Sequence, residues 1–109
     1  MGGPVNDSFS YTVADVGDAH VVTLHGELDL GTATGLADML VAVSGSVVVV
    51  DLSELTFMDS SGIAAMVQAR NQLGDDFVLT RPQPIVRRVF EITGLGDWFT
   101  EWEPSWSAH

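Results

Sequence analysis

The chain of 109 residues contains no cysteine and no lysine, and its four arginines all lie between Arg70 and Arg88. Without cysteine it can form no disulfide, no thiolate metal site and no thiol nucleophile. The first 69 residues contain nine acidic residues and no arginine or lysine, and the formal net charge is -11. Such a surface repels the phosphates of nucleic acids, so we expect no direct binding to DNA or RNA. The same acidity would attract a partner with a basic surface, or would serve only to keep a small protein soluble.

Long apolar runs and targeting signals are also absent. The longest strongly apolar stretch lies within residues 47–52 and already contains Asp51, whereas a membrane-spanning helix needs roughly 20 apolar residues. The N-terminal residues have neither the basic start nor the apolar centre of a secretory signal. The histidines show no metal-ligand spacing: His20, His25 and His109. We therefore expect a cytoplasmic protein that does not insert into a membrane and needs no metal or cofactor.

Four stretches of the sequence predict β-strands. Residues 9–13 and 22–28 alternate apolar with polar or small side chains, which predicts a β-hairpin. Residues 47–52 form a β-branched run that suits a central strand covered on both faces. A short strand is expected at residues 77–80.

Three helices are expected between and after these strands. Their predicted limits are a cap at Thr32 or Thr34 with an end at residues 44–46, a start at Ser60 or Ser61 with an end at Gly74, and Pro84 to Gly94. This order predicts an α/β domain with a mixed, mainly parallel sheet of about four to five strands and helices packed on it. Residues 1–7 are predicted to be a short disordered lead, and residues 8–109 the single domain.

The most informative stretch follows the central strand, where Asp59, Ser60, Ser61 and Gly62 stand at the expected start of a helix. Functional groups in α/β sheets collect beyond the carboxyl ends of the strands. A helix N-terminus offers free N–H groups and a partial positive charge, so it would tolerate a phosphorylated serine. The phosphate would add about -1.5 to -2 charges to the surface while the fold is kept. The same residue types are also ordinary capping and turn residues, and these properties alone leave both interpretations open.

Three segments resemble the STAS family, and within it the bacterial anti-sigma factor antagonists. LTFMDSSGI at residues 55–63 resembles the family's phosphorylation loop, and LHGELD at residues 24–29 resembles its Gly-Glu-Leu-Asp turn. PIVRRVFEITGL at residues 84–95 resembles its third motif, a helix that begins at a proline and is closed by Gly-Leu. The segments occur in the family's order and spacing, and the match covers about residues 9–99.

The resemblance implies the STAS fold and a regulatory binding role that involves no enzyme activity. Unphosphorylated members of this family bind an anti-sigma factor that is itself a serine kinase, and so release the sigma factor. The kinase phosphorylates the first serine after the loop aspartate, which is Ser60 here, and a metal-dependent serine phosphatase removes the phosphate. Ser61 is the less favoured acceptor.

The same resemblance implies a partner-binding surface, which comprises Glu27, Asp29, Asp59, Ser60, Ser61 and Gly62. Asp29 is expected beside the switch, and Asp59 is expected to orient the serine loop. Family members commonly have a further C-terminal helix. Here the equivalent residues 100–109 are few and contain Pro104, so we expect a shortened C-terminal tail.

Two other functions can be considered from the sequence. One is a STAS docking subunit of a membrane transport or stress-sensing complex that does not act on a sigma factor. Family members in transporter complexes often have a small residue in place of the second serine, so Ser61 favours the signalling role. The other is a hydrolase that combines Ser60 or Ser61 with His25 and Asp29. The Gly-x-Ser-x-Gly elbow is missing and the order of the residues is unusual for that class.

Three tryptophans near the C-terminus, Trp98, Trp102 and Trp106, follow the spacing i, i+4, i+8. A helix would place them on one side, where they could support self-association or bind a partner. Pro104 argues against one continuous helix. The alternative is that Trp98 and Phe99 complete the core and the remaining residues fold against it.

Overall fold

The computed structural model describes residues 2–6, 9–43, 47–100 and 102, with side chains from residue 9 onward. The strands are β1 (Gly2–Asn6), β2 (Phe9–Val16), β3 (Ala19–Leu28), β4 (Val47–Met58) and β5 (Phe77–Thr80). The α-helices are α1 (Leu30–Ala33), α2 (Leu36–Ala42), α3 (Ser60–Leu73) and α4 (Pro84–Ile92). Short 3-10 turns cover Gly74–Asp76 and Gly96–Trp98. None of the helices in this part of the chain has the length and apolar character that a bilayer crossing requires.

The strands form a single sheet in the order β1-β2-β3-β4-β5. β2 pairs antiparallel with β1 and with β3, and β4 pairs parallel with β3 and with β5. The predicted α/β class, the N-terminal hairpin and the mixed sheet are confirmed. Parallel pairs do not predominate, because β1 adds a second antiparallel pair.

β1 occupies most of the segment for which the sequence predicts a disordered lead. Gly3 lies opposite Tyr11 and Pro4 lies opposite Ser10. Without β1, the outer edge of β2 would present a row of unpaired N–H and C=O groups. The sequence gives no sign of this strand because main-chain pairing does not require apolar alternation. Residues 1 and 7 of the predicted lead lie outside the described residues.

β4 is the central strand, and it extends beyond the predicted residues 47–52 to Met58. Four side chains in its first half have no exposed area: Val48, Val49, Val50 and Leu52. Both faces of the strand are therefore covered there, as predicted. In its second half the register with β3 shifts between Thr23 and His25 and again between Gly26 and Glu27. These irregularities break the alternation of side chains, which is why the sequence pattern ended too early.

Two short helices connect β3 to β4, where the sequence predicted one. Asp29 caps α1, and Gly35, with φ of 85°, separates α1 from α2. The predicted cap at Thr32 or Thr34 is wrong, because Thr32 lies within α1 and Thr34 ends it. Glycine adopts a left-handed backbone at little steric cost, so Gly35 lets the chain change direction here. The predicted helix end at residues 44–46 lies outside the described residues.

The helices α3 and α4 begin at Ser60 and Pro84, as predicted, and they pack against the sheet. Met66 of α3 and Phe90 of α4 are fully buried in the core. The packing of α3 against the core therefore fixes the position of Ser60 beside the carboxyl end of β4.

The tryptophan-rich segment completes the core instead of continuing as a helix. Trp98 and Phe99 pack against the buried cluster, which confirms the first part of the alternative, that these two residues complete the core; most of the segment that would fold against it lies outside the described residues. Phe99 has an extended backbone, with φ of -80° and ψ of 136°, so no helix connects Trp98 to Trp102. Trp106 lies outside the described residues.

Candidate functional site

The candidate site lies where β3 and β4 end side by side. The parallel register places Leu28 opposite Met58, and the backbone N–H of Asp59 donates to the carbonyl oxygen of Leu28 at 3.2 Å. Asp29 and Asp59 follow these strand ends, and each begins a helix. The two acidic turns that the sequence singled out therefore meet at one edge of the sheet, where α/β domains commonly place functional groups.

Asp59, and not a serine, caps helix α3. Its Oδ1 accepts a hydrogen bond from the backbone N–H of Ser61 at 2.9 Å. Its carbonyl oxygen accepts from the backbone N–H groups of Gly62 at 3.0 Å and Ile63 at 3.2 Å. A carboxylate at this position satisfies donors that would otherwise lack a partner, and it interacts favourably with the helix dipole. The cap therefore does not need the hydroxyl groups of Ser60 and Ser61.

Ser60 is the first residue of α3, and it is exposed. None of the described residues forms a hydrogen bond with its hydroxyl group. Ser61 is half-buried, and it lines a groove against α1 and α2. Of the two serines, Ser60 is therefore the more exposed.

Asp29 caps α1 in the same manner. Its Oδ1 accepts from the backbone N–H groups of Gly31 at 3.0 Å and Thr32 at 3.2 Å, while Thr32 Oγ1 accepts from the backbone N–H of Asp29 at 2.9 Å. The Thr32 hydroxyl also donates to the carbonyl oxygen of Glu27 at 3.1 Å. These bonds fix the turn after β3, with Asp29 half-buried and the Glu27 side chain exposed.

Gly62 is buried beneath this surface instead of forming part of it. A Cβ atom at this position would lie 2.6 Å from Met58 Cγ and 3.0 Å from Leu28 Cδ2. Glycine therefore allows the first turn of α3 to lie directly on the ends of β3 and β4. The sequence placed Gly62 among the partner-binding residues, but its burial gives it a packing role that holds Ser60 in position.

The surface around Ser60 carries negative charge with no neutralising side chain among the described residues. The carboxylates of Glu27, Asp29 and Asp59 lie in the two turns, and no described arginine forms an ion pair with them. Three of the four arginines engage groups elsewhere: Arg81 the carboxylate of Asp51, Arg70 the ring of Trp98 at 4.5 Å, and Arg87 the ring of Phe99 at 5.1 Å. A phosphate on Ser60 would therefore add charge that only the N-terminus of α3 offsets.

Two exposed apolar side chains, which the sequence pattern does not single out, flank the acidic turns. Leu30, the residue after Asp29, is 74% exposed, and Phe57, opposite Glu27 in the sheet, is 40% exposed. Between α1, α2 and α3 a groove of about 410 Å³ runs from Leu30 past Ser61 to Gln68. Exposed apolar groups beside a polar rim are typical of a protein-binding surface. For Leu30, the signal available in the sequence is an apolar residue directly after the capping Asp29.

The described residues do not assemble a hydrolase triad. His25 lies within β3, between Ser10 of β2 and Glu54 of β4. Its Nε2 is buried and has no hydrogen-bond partner in the described part of the chain. Asp29 bonds backbone groups of its own turn, so it does not orient a histidine.

A family model described as the STAS domain matches residues 11–107. The anti-sigma-F factor antagonist RsfB of Mycobacterium tuberculosis is 31% identical over 98 residues, which cover 85% of this chain and 80% of RsfB. An anti-sigma factor antagonist from Mycobacterium paratuberculosis has a similar crystal structure, with a TM-score of 0.75 and 31% identity. That match covers 91% of this chain and 87% of the other.

SpoIIAA is a third similar protein, and it is known in two states. The anti-sigma factor antagonist SpoIIAA in its unphosphorylated form matches with a TM-score of 0.66 and 27% identity, over 85% of this chain and 88% of SpoIIAA. The Bacillus cell fate determinant SpoIIAA in the phosphorylated form matches with a TM-score of 0.59 and 26% identity, over 85% of this chain and 91% of the other. The fold is therefore shared with a protein that has been seen with and without phosphate.

Proposed function

Because this chain belongs to the STAS domain family, we propose that it is an anti-sigma factor antagonist controlled by phosphorylation of Ser60. In its unphosphorylated form it binds an anti-sigma factor of the serine-kinase type, which frees the sigma factor. The kinase then phosphorylates Ser60 and ends the complex, and a metal-dependent serine phosphatase restores binding. This places the protein in the cytoplasm, where its action on transcription requires no contact with nucleic acid.

The exposed Ser60 hydroxyl at the start of α3 is the observation that carries this proposal. Asp59 caps the helix and Gly62 packs beneath it, so Ser60 is not needed for either structural task. A phosphate can therefore be added without breaking a bond that holds the domain together.

The switch acts through the charge and size of the group on Ser60. We call the surface around it the docking surface, which comprises the exposed Leu30 and Phe57 and the carboxylates of Glu27, Asp29 and Asp59. In the unphosphorylated protein, Leu30 and Phe57 provide exposed apolar contacts beside acidic groups that attract a basic partner. Phosphorylation adds about -1.5 to -2 charges in the middle of this surface. The partner then has to bury a strongly charged group with no opposing cation from the described residues, which costs several kcal/mol unless the partner provides one.

The docking subunit of a transport or stress-sensing complex would use the same surface. The relatives named above are anti-sigma factor antagonists, and this is why we prefer the sigma-factor pathway.

The test is incubation of the protein with its cognate anti-sigma kinase and ATP, followed by mass spectrometry of the intact chain and its peptides. We expect one phosphate, located on Ser60. S60A should accept none, whereas S61A, the matched control one residue away, should be phosphorylated like the wild type. Phosphate on Ser61 in the wild type, or undiminished phosphorylation of S60A, would contradict the assignment.

A further inference from the structure

A second cavity, of about 440 Å³, opens at the carboxyl end of β5. Its walls come from three segments: Thr80 at the end of β5 with Arg81 after it, Arg87 of α4, and Phe99, Thr100 and Trp102 near the C-terminus. Thr80 pairs with Asp51 of β4, and β4 runs on to Met58 before Ser60 is reached. The cavity therefore lies about 20 Å along the strand direction from the serine loop, and it shares no residue with it.

Backbone and ring contacts hold the aromatic wall of this cavity in place. The backbone N–H of Thr100 donates to the carbonyl oxygen of Leu79 at 2.9 Å, and Phe99 pairs with Leu79 beside the edge of β5. The ring of Phe99 meets the buried ring of Phe90 edge to face, with 4.7 Å between centroids. The planar ring of Phe99 is therefore held in place by the edge of β5 and by the core.

The cavity contains one guanidinium, that of Arg87, with no carboxylate partner among the described residues. Arg81 is paired with the buried carboxylate of Asp51. The Arg87 guanidinium lies 5.1 Å from the centroid of Phe99. In a chain with a formal net charge of -11, this is a local site that favours an anion.

Thr80 adds an unused hydrogen-bonding group. It is 2% exposed, and its hydroxyl has no partner among the described residues. Most buried polar side chains have a hydrogen-bond partner, and burial without one is unfavourable. A carboxylate oxygen would accept hydrogen bonds both from a hydroxyl group and from a guanidinium.

We propose that this cavity binds a small monocarboxylate with a planar apolar body. The positive charge of Arg87, unpaired among the described residues, matches one carboxylate, and a guanidinium can hold both of its oxygens. The rings of Phe99 and Trp102 would cover the planar body, and the cavity is within the size range of small-molecule sites. A dianion would retain an unpaired negative charge inside an acidic protein, so a monoanion is favoured over a phosphate ester.

The test is a calorimetric titration with three probes of similar size: phenylacetate, the neutral phenylacetamide and phenyl phosphate. We expect phenylacetate to bind at least about tenfold more tightly than either of the others, because phenylacetamide lacks the negative charge that Arg87 pairs with and the second charge of phenyl phosphate would have no cationic partner among the described residues. Equal affinity for phenylacetamide, or tighter binding of phenyl phosphate, would overturn the proposal. Absence of phenylacetate binding would do the same.

R87Q and R88Q form a matched pair for the same titration. Both variants remove one charge from α4, but Arg88 is exposed and does not line the cavity. We expect R87Q to weaken phenylacetate binding about tenfold and R88Q to change it less than about twofold, because long-range attraction between exposed charges is screened by salt. Circular dichroism of both variants should match that of the wild type, which checks that each is folded. An equal loss in the two variants would show that general charge attraction, and not this cavity, accounts for binding.

Discussion

Gly62 is the residue of the serine loop that leaves least room for change. Asp59 caps the helix and Ser60 keeps its hydroxyl free, but both depend on the close approach of α3 to the strand ends. That approach is possible only because Gly62 has no Cβ to meet Met58 and Leu28. The position of the switch is therefore fixed by a buried glycine and not by an exposed polar network.

We predict that G62A lowers the free energy of unfolding by about 1–3 kcal/mol, the usual cost of forcing an extra methyl group into a packed site. Urea unfolding followed by circular dichroism measures this directly. G31A is the control, since a Cβ there would meet only Asp29 Oδ1 at 3.5 Å, an ordinary contact distance. It should change the stability by less than about 0.5 kcal/mol or increase it slightly, because alanine favours a helix. A G62A variant as stable as G31A would show that the loop can relax.

At the scale of secondary-structure elements, Asp51 and Arg81 link β4 to the end of β5. Burial raises the pKa of Asp51, but hydrogen bonds from Arg81 and from the backbone and hydroxyl of Ser53 outweigh this effect and hold the pKa below its usual value. Arg81 adopts a left-handed backbone with φ of 55°, which is uncommon for a residue other than glycine. The ion pair therefore lies at the turn that leads from β5 towards α4.

We predict that R81Q loses stability at pH 7 and that this loss shrinks in acid. A depressed pKa in the folded state stabilises the protein above the unfolded value of about 3.9 and is lost as the pH falls through the folded value. Because the side chain of Arg81 is 66% exposed, we expect a loss of about 1–3 kcal/mol at pH 7, less than for a fully buried pair. Urea unfolding at pH 7 and pH 3 checks the sign.

R88Q is the control for this pH series, because Arg88 is exposed and forms no ion pair among the described residues. Its stability difference from the wild type should stay within about 0.5 kcal/mol at both pH values. If the R81Q difference were as large at pH 3 as at pH 7, the ion pair would not account for the low pKa of Asp51.

Over the whole molecule, features that depend on residues adjacent in the sequence could be predicted, and features that depend on distant segments could not. α3 and α4 could be placed because a capping aspartate, a proline and closing glycines lie next to the helices they limit. β1 and the second half of β4 were missed because strand pairing and shifts of register depend on a neighbouring strand. The exposure of Leu30 and Phe57, the burial of Gly62 and the cavity beside Thr80 arise only when distant segments pack together.

The net charge of -11 is a property of the whole molecule, and the phosphate on Ser60 would be added to a protein that is already strongly acidic. An acidic surface attracts a basic partner from a distance, whereas a charge at the centre of the contact has to be buried. The proposed switch therefore depends on where the charge is added and not on the total charge alone.

The most direct test of this account is the affinity of the cognate anti-sigma factor for S60N and S60D, measured by calorimetry beside the wild type. The two side chains have nearly the same size and differ in charge. We predict that S60N binds within about threefold of the wild type and that S60D binds at least about tenfold more weakly, a loss of about 1.4 kcal/mol or more. Equal affinities for S60N and S60D would contradict the proposal that negative charge at Ser60 controls the complex.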